Sequence, residues 1–353
     1  MKSEFFKIWK KEIFGKMKIK YYRVVTEDKR EIVLTRVKRE RAGGWYPVLC
    51  IPGMGQNRFS WIAPCSEFAE WFASRGIDVW ILEPRGRGLS KLKKERYDWS
   101  IDELILYDLK SAIEKVLKET GRKKVFLVGH SLGGCMTYCS LSLYGKNIAG
   151  FATLGSPMKY RFLSTGWFIK LGALYNNAIS ILGKTPLEFL VYFPFPLLGK
   201  AGILGLPIMN TFLENFIPLH PWHRKNVKKI RLIRSIIKGF ERESPKLVAH
   251  FLRWAKEGRF TSYDRKFDWT DGFLKAKIPG LFIAGDRDRL APPSAVKYAY
   301  DAYGANQKKF VLLNKREHGT HWGHLDLTMG KNCSDFLFPI ILDWMKSVAE
   351  GKA

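Results

Sequence analysis

The sequence predicts an α/β protein with a mostly parallel, doubly wound sheet and an inserted helical cap. Short, fully apolar segments rich in Val, Ile and Leu alternate with amphipathic segments of helical period, the pattern of parallel strands covered on both faces. The alternation is interrupted once, over residues 158–278, by a stretch too long and too apolar for a loop. A chain of 353 residues, 46% hydrophobic and 14% aromatic, is long enough for a large core carrying such an insertion.

Residues 1–20 form a basic amphipathic segment. Phe5, Phe6, Trp9, Ile13 and Met17 recur at helical spacing, with Lys7, Lys10, Lys11 and Lys18 largely off that face. The same charges interrupt any apolar run, so the segment is a poor secretory signal. The first part of the core then spans 21–157. Lys18–Val25 and Ile32–Val37, rich in Ile, Val and Tyr, flank the turn-like Glu27-Asp28-Lys29 and predict an antiparallel hairpin. Strands are predicted at Val48–Ile51, Val79–Leu82, Val125–Val128 and Gly150–Leu154, with helices at Cys65–Ala73, Ile101–Glu119 and Leu132–Leu143. The longest helix opens on a capping box, Ser100 to Glu103, and stops at Gly121. The cap, 158–278, holds aromatic and aliphatic segments broken by Pro and Gly, and a basic run from His223 to Arg234. The core resumes over 279–353, with strands at Leu281–Ala284 and Phe310–Leu313 and helices at Pro293–Tyr303 and Ser334–Ala349.

The net charge of +27, from 60 Lys and Arg against 33 Asp and Glu, spreads a positive field over most of the surface and favours anionic partners. For most individual lysines the expected role is a solvated face. Cys50, Cys65, Cys135, Cys139 and Cys333 are odd in number and scattered, which argues for a reducing compartment, and none has zinc-ligand spacing. The most apolar zone, Phe189–Leu213, is cut by Pro194, Pro196, Lys200 and Pro207, so no spanning helix is expected. These features predict a cytoplasmic protein, soluble or peripheral to a membrane, with no metal, no cofactor and no nucleic-acid partner.

The chemistry is concentrated at KKVFLVGHSLGG, Lys123–Gly134, where a strand runs into Gly129-His130-Ser131-Leu132-Gly133 and a helix follows. Gly129, Gly133 and Gly134 give the room a tight strand-to-helix turn needs. That turn raises the Ser131 hydroxyl above the sheet and puts the Leu132 N–H at a helix N-terminus, where it can stabilise an oxyanion. A serine nucleophile needs a base, and the base needs an orienting carboxylate. GDRDRLAPP places Asp286 and Asp288 just beyond a strand, at the carboxyl edge of a parallel sheet, and REHGTHWGHLDL follows the last strand with His318, His321 and His324. The order Ser, Asp, His is therefore available, with the acid and the base each open between neighbours.

With IPGMG, ILEPRGRGLS, GHSLGG, GDRDRLAPP and GHLDL in this order, the chain resembles the α/β-hydrolase-fold serine hydrolases, esterase- and lipase-like, over nearly its whole length apart from the N-terminal segment and the cap. The resemblance implies that Ser131 is the nucleophile. It favours Asp288 over Asp286, because the family acid lies three residues after a glycine, here Gly285, and shortly before an apolar-x-Pro, here Leu290 to Pro292. It favours His324, in Gly323-His324, as the base, with His318 as its rival and His321 as a polar loop residue. It implies an oxyanion hole from the backbone N–H groups of Met54 and Leu132. Where the family commonly has His-Gly, this chain has Pro52-Gly53, which keeps a backbone donor but loses the hydrogen bonds by which the histidine positions the loop. Arg85 and Arg87 are expected as solvated surface residues, with the site mouth as the alternative.

The implied reaction is hydrolysis of a small-molecule acyl ester through an acyl-enzyme. The Phe-, Leu- and Ile-rich cap segments Leu187–Leu198 and Ala201–Leu213 suit a lipophilic acyl chain, though packing of the cap onto the core accounts for them equally. Two other readings stand beside it: an acyltransferase using the same acyl-enzyme, for which His321 to Asp326 fits an H-x4-D signature, and a non-catalytic, membrane-peripheral binding protein. An anionic membrane surface as partner is motivated by residues 1–20 and by a second stripe, Val227, Ile230, Ile233, Ile237 and Phe240, set among Arg224, Lys225, Lys228, Lys229, Arg231 and Arg234. Packing of that second stripe against its own protein is the stronger expectation.

Overall fold

The computed structural model describes residues 17–39, 45–91, 97–159 and 220–352. The N-terminal helix pattern up to Lys16 and the cap segments Leu187–Leu198 and Ala201–Leu213 lie outside the described residues. The strands are β1 (Met17–Val25), β2 (Glu31–Arg39), β3 (Val48–Ile51), β4 (Val79–Glu83), β5 (Val125–His130), β6 (Ile148–Leu154), β7 (Gly280–Gly285) and β8 (Lys308–Leu313). They form one sheet in the order β1-β2-β4-β3-β5-β6-β7-β8. The β1-β2 hairpin pairs Met17 with Arg39 and Val25 with Glu31, and β2 joins β4 antiparallel. From β4 through β3, β5, β6 and β7 to β8 every pairing is parallel. Met17, counted with the helical stripe, instead opens β1 and packs partly against the core.

The longer helices are α1 (Phe68–Ser74), α2 (Lys110–Thr120), α3 (Leu132–Tyr144), α4 (Lys229–Lys238), α5 (Pro245–Glu257), α6 (Trp269–Lys275), α7 (Pro293–Ala302) and α8 (Phe338–Ala349). The capping box forms: the Ser100 hydroxyl accepts from the Asp102 N–H at 3.1 Å, and Glu103 accepts from the Ser100 N–H at 2.8 Å. Helix continues through a π-helical stretch, Leu104–Leu109, into α2, which ends at Gly121 with φ 67°. α1 starts three residues later than its apolar period suggests. Ser66 is engaged elsewhere, its hydroxyl donating to the Thr328 carbonyl at 2.6 Å and accepting from the Phe68 N–H.

Alternation along the central strands builds two cores, one on each face of the sheet. Leu49, Ile51, Trp80, Leu82 and Leu127 face Leu104, Ile113, Cys135 and Met136, while Val48, Cys50, Val79, Ile81 and Val128 face Phe68, Phe72, Ile341 and Trp344. Leu247 and Trp254 of α5 and Trp269 and Phe273 of α6 belong to the first of these clusters. A third, small cluster joins Trp222, Val227, Leu232 and Ile236 to Leu325 and Met329. α4 therefore turns Leu232, Ser235 and Ile236 inward, with Ile233 and Phe240 only partly covered. Two members of the expected apolar stripe, Ile230 and Ile237, stand 51% and 61% exposed. The predicted face is thus rotated, because the i, i+4 pair Leu232/Ile236 packs under Leu325 and Met329.

All five cysteines are buried and free, and burial raises each thiol above its ordinary range. No helix among the described residues is long and apolar enough to cross a membrane.

Candidate active site

Between β5 and α3, Ser131 adopts φ 54° and ψ −121°. A left-handed φ at a residue with a Cβ costs of order 1–3 kcal/mol and persists only where the surroundings enforce it. They do so here: the Ser131 N–H donates to the Leu154 carbonyl at 2.9 Å, and its carbonyl accepts from Gly134 and Cys135. The glycines make that closeness sterically feasible. A Cβ on Gly133 would lie 2.2 Å from the Ile51 carbonyl oxygen, and one on Gly129 2.6 Å from the Gly133 backbone.

Beyond β7, Asp288 and His324 form a buried pair, with Asp288 Oδ2 at 2.7 Å from His324 Nδ1. The other carboxylate oxygen accepts from the Leu290 and Ala291 N–H groups at 2.9 and 2.7 Å, which fixes the acid. A carboxylate on Nδ1 places the ring proton there and leaves Nε2 with its lone pair, the arrangement of a general base. Gly155, at φ 55° just after β6, runs beneath this pair; a Cβ there would stand 2.8 Å from Asp288 Oδ2 and 3.1 Å from His324 Nδ1. The pair adjoins the serine turn, since the ring of His130 lies 4.6 Å from that of His324 and His130 Nε2 is 3.1 Å from the His324 carbonyl oxygen. Burial, reinforced by His324, holds His130 well below the usual imidazole range, so it stays neutral.

The rival residues have other partners. Asp286 binds His321 Nδ1 through one oxygen and accepts the Trp322 N–H at 2.8 Å through the other. His318 Nδ1 accepts from the Asn314 N–H at 3.2 Å, and its ring meets Phe336 edge-on. Asp326 accepts from the His223 N–H at 2.9 Å and does not pair with His321. Burial, against the hydrogen bonds it receives, pushes the Asp326 carboxyl up to about 8. His318, His321 and His324 thus have separate partners.

The turn after β3 runs beside the serine. A Cβ on Gly53 would lie 3.2 Å from Ser131 Cβ. Gln56 closes this turn, its N–H donating to the Gly53 carbonyl and its side-chain oxygen accepting from the Gly53 N–H, both at 3.2 Å, and that oxygen lies 3.1 Å from His130 Nδ1. Among the described residues no acceptor is paired with the N–H of Met54 or of Leu132, the first residue of α3. Neither Arg85 nor Arg87 is a solvated surface residue; both are buried. Arg85 binds Asp108 and Asp28 at 2.8 and 2.7 Å. Arg87 donates to the Gly53 carbonyl at 3.0 Å and pairs with the buried Glu243. Gln56, His130, Gly155 and Glu243 join the site through contacts that the sequence motifs do not announce. Only Gly155, a glycine directly after a strand at the sheet's carboxyl edge, carried a local signal.

A model of the alpha/beta hydrolase fold family matches residues 46–197. The chain has the α/β-hydrolase fold. Among curated relatives of this chain, the human lysosomal acid lipase/cholesteryl ester hydrolase is 25% identical over 357 residues, covering 92% of this chain and 87% of that protein. A tear acid lipase-like protein of Mesocricetus auratus is 25% identical over 350 residues, covering 88% and 83%. Among solved structures, a putative lipase from Acinetobacter baumannii superposes with a TM-score of 0.61 at 16% identity, covering 98% of this chain and 97% of that one. The monoacylglycerol lipase of Paleococcus ferrophilus superposes with 0.60 at 17%, covering 90% and 99%. At these identities the structural matches speak for the α/β-hydrolase fold alone.

Proposed function

We propose that this α/β hydrolase is a serine hydrolase that cleaves a lipophilic carboxylic acyl ester through Ser131, His324 and Asp288. The coarser class, a carboxylic ester hydrolase, is the one named by its lipase relatives. One observation carries the finer reading: a serine strained into the left-handed region beside a buried carboxylate and histidine pair of 2.7 Å. His324 Nε2 accepts the Ser131 hydroxyl proton as the oxygen attacks the ester carbonyl. The Met54 and Leu132 N–H groups bind the oxyanion, and Asp288 stabilises the imidazolium. Collapse of the tetrahedral intermediate expels the alcohol, which takes the proton from His324. Water activated by His324 then releases the acid from the acyl-enzyme.

We assign residues 158–278 to a cap over this site and place the protein in the cytoplasm, a reading supported by its five free, buried thiols. We further assign an anionic membrane surface as partner to α4, where exposed Ile230 and Ile237 stand beside exposed Lys228, Lys229 and Lys238.

A fluorophosphonate probe tests the nucleophile: the wild type is expected to label and Ser131→Ala to lose both label and turnover. A panel of acyl esters from short to long chain, assayed with and without competing alcohols, is expected to yield free acid as the product. Transfer of the acyl group to the alcohol as the main product would favour the acyltransferase reading.

A further inference from the structure

Arg87 and Glu243 are fully buried and 156 residues apart in sequence, and they grip the peptide units on either side of Met54. Arg87 Nη1 donates to the Gly53 carbonyl at 3.0 Å, while Arg87 Nη2 pairs with Glu243 Oε2. The same Glu243 oxygen accepts from the Gly55 N–H at 3.0 Å, and its other oxygen from the Ser244 N–H at 3.0 Å. The segment carrying Glu243 is itself laced to this turn. The Glu241 N–H donates to the Gly55 carbonyl at 2.7 Å, and Asn57 donates from its backbone to the Gly239 carbonyl at 3.1 Å and from its side chain to the Lys238 carbonyl at 2.7 Å.

We propose that the Arg87–Glu243 pair is the positioning device of the oxyanion hole, by which residues 238–244 of the inserted segment complete the active site. The proposal rests on the reading of the protein as a Ser131 hydrolase, and within it makes the Met54 N–H the oxyanion donor that is positioned. A peptide unit is planar and trans, so the Gly53 C=O and the Met54 N–H share one plane and point in opposite directions. Holding the carbonyl with Arg87 therefore aims the amide at the other end. The guanidinium also polarises the unit, drawing electron density toward the carbonyl oxygen and strengthening the Met54 N–H as a donor. Glu243 fixes the next peptide plane through Gly55 and balances the buried guanidinium, which would otherwise be too costly to keep in this interior. Two long-range contacts thus do what Pro52, without an N–H or a polar side chain, cannot do locally.

Removing one partner would strand the other charge, so the main test is the neutral double variant Arg87→Met/Glu243→Leu, with Arg87→Lys and Glu243→Gln as conservative partners. Arg87→Lys keeps the charge but loses the planar fork that reaches Gly53 and Glu243 together. The readouts are kcat and KM on a soluble ester, affinity for an alkyl boronic acid that mimics the tetrahedral intermediate, and thermal midpoint. The double variant is expected to fold, to lose about 10- to 100-fold in kcat with KM nearly unchanged, and to lose boronate affinity by a similar factor. Arg87→Lys is expected to fall between it and the wild type. A merely structural pair would lower the thermal midpoint and leave kcat and boronate affinity of the folded protein intact, and that result overturns the proposal. Should the double variant not fold, Glu243→Gln gives the same two outcomes, because it preserves an acceptor for Gly55 while weakening the hold on Arg87. Failure of the underlying reading looks different: wild-type Ser131 would not label, or Ser131→Ala would keep its turnover.

Discussion

At the scale of single residues, the choice between neighbours is made by hydrogen bonds that span the fold. Losing a triad base or its carboxylate lowers kcat by roughly 10⁴-fold, whereas a loop residue matters little. His324→Ala and Asp288→Asn are therefore expected to abolish ester turnover nearly completely, with His318→Ala and Asp286→Asn milder. Steady-state kinetics of the four variants checks the ranking, and a reversal within either pair moves the assignment. Gly155→Ala belongs with them: its methyl would press on Asp288 and His324 from a left-handed φ of 55°, so a loss of both kcat and stability is expected. Much of this was legible. GHSLGG announces its turn because a strained serine between a strand and a helix leaves room for little but glycine around it. Which aspartate meets which histidine was not legible from residue spacing, because Asp286 and Asp288 share one loop and His321 and His324 another. The pairs Asp286 with His321 and Asp288 with His324 are set by how residues 319–324 fold back over Gly285, where a Cβ would strike the Trp322 carbonyl at 2.4 Å.

At the scale of elements, the central strands and the two ends of the long helix are legible in the sequence, since each rests on a local cause: a fully buried apolar run, a capping box, a glycine at φ 67°. In α4 the inward face differs from the apolar stripe of the sequence. Its apolar residues surround more than one stripe, and only contact with Leu325 and Met329 selects Leu232 and Ile236 as the inner pair. The consequence is a helix whose outer face keeps Ile230 and Ile237 in water among lysines. Ile230→Glu/Ile237→Glu is expected to reduce co-sedimentation with phosphatidylserine vesicles while leaving kcat on a soluble short-chain ester close to wild type. Binding of the parent is expected to weaken as salt rises and to be absent with neutral vesicles, because each basic residue near an anionic leaflet contributes about 1 kcal/mol before screening. A chain starting at Lys18 separates the contribution of the N-terminal segment. Equal recovery of all forms in the supernatant would remove the membrane from the list of partners.

At the scale of the whole molecule, the segment from His220 onward is tied to the loop that carries His324, and a buried acid sits in the seam. The Leu325 N–H donates to the Pro221 carbonyl at 2.7 Å, the Lys331 N–H to the Asn226 carbonyl at 2.7 Å, and the His223 N–H to Asp326 at 2.9 Å. Burial raises Asp326 to about 8 from an ordinary 3.8, with the nearby Asp288 adding to the rise. A net charge of +27 pulls the other way, but surface charges act on the seam through a screening length of about 10 Å at 0.1 M salt, and local desolvation prevails. The folded chain thus holds this proton more tightly than the unfolded chain. The stabilisation is complete below pH 4, is lost progressively as pH rises from about 4 to about 8, and changes no further above that. Asp326→Asn keeps an oxygen to accept from His223 and cannot ionise. Relative to the wild type, the Asn variant is therefore expected to gain stability steadily over that window, by an amount on the order of a few kcal/mol, and to show a flat difference at higher pH. Urea unfolding of both proteins at closely spaced pH values measures the difference directly. Parallel stability curves from pH 4 to 9 would show that Asp326 is ionised in the folded protein, and that the seam between residues 220–227 and the His324 loop holds a charge.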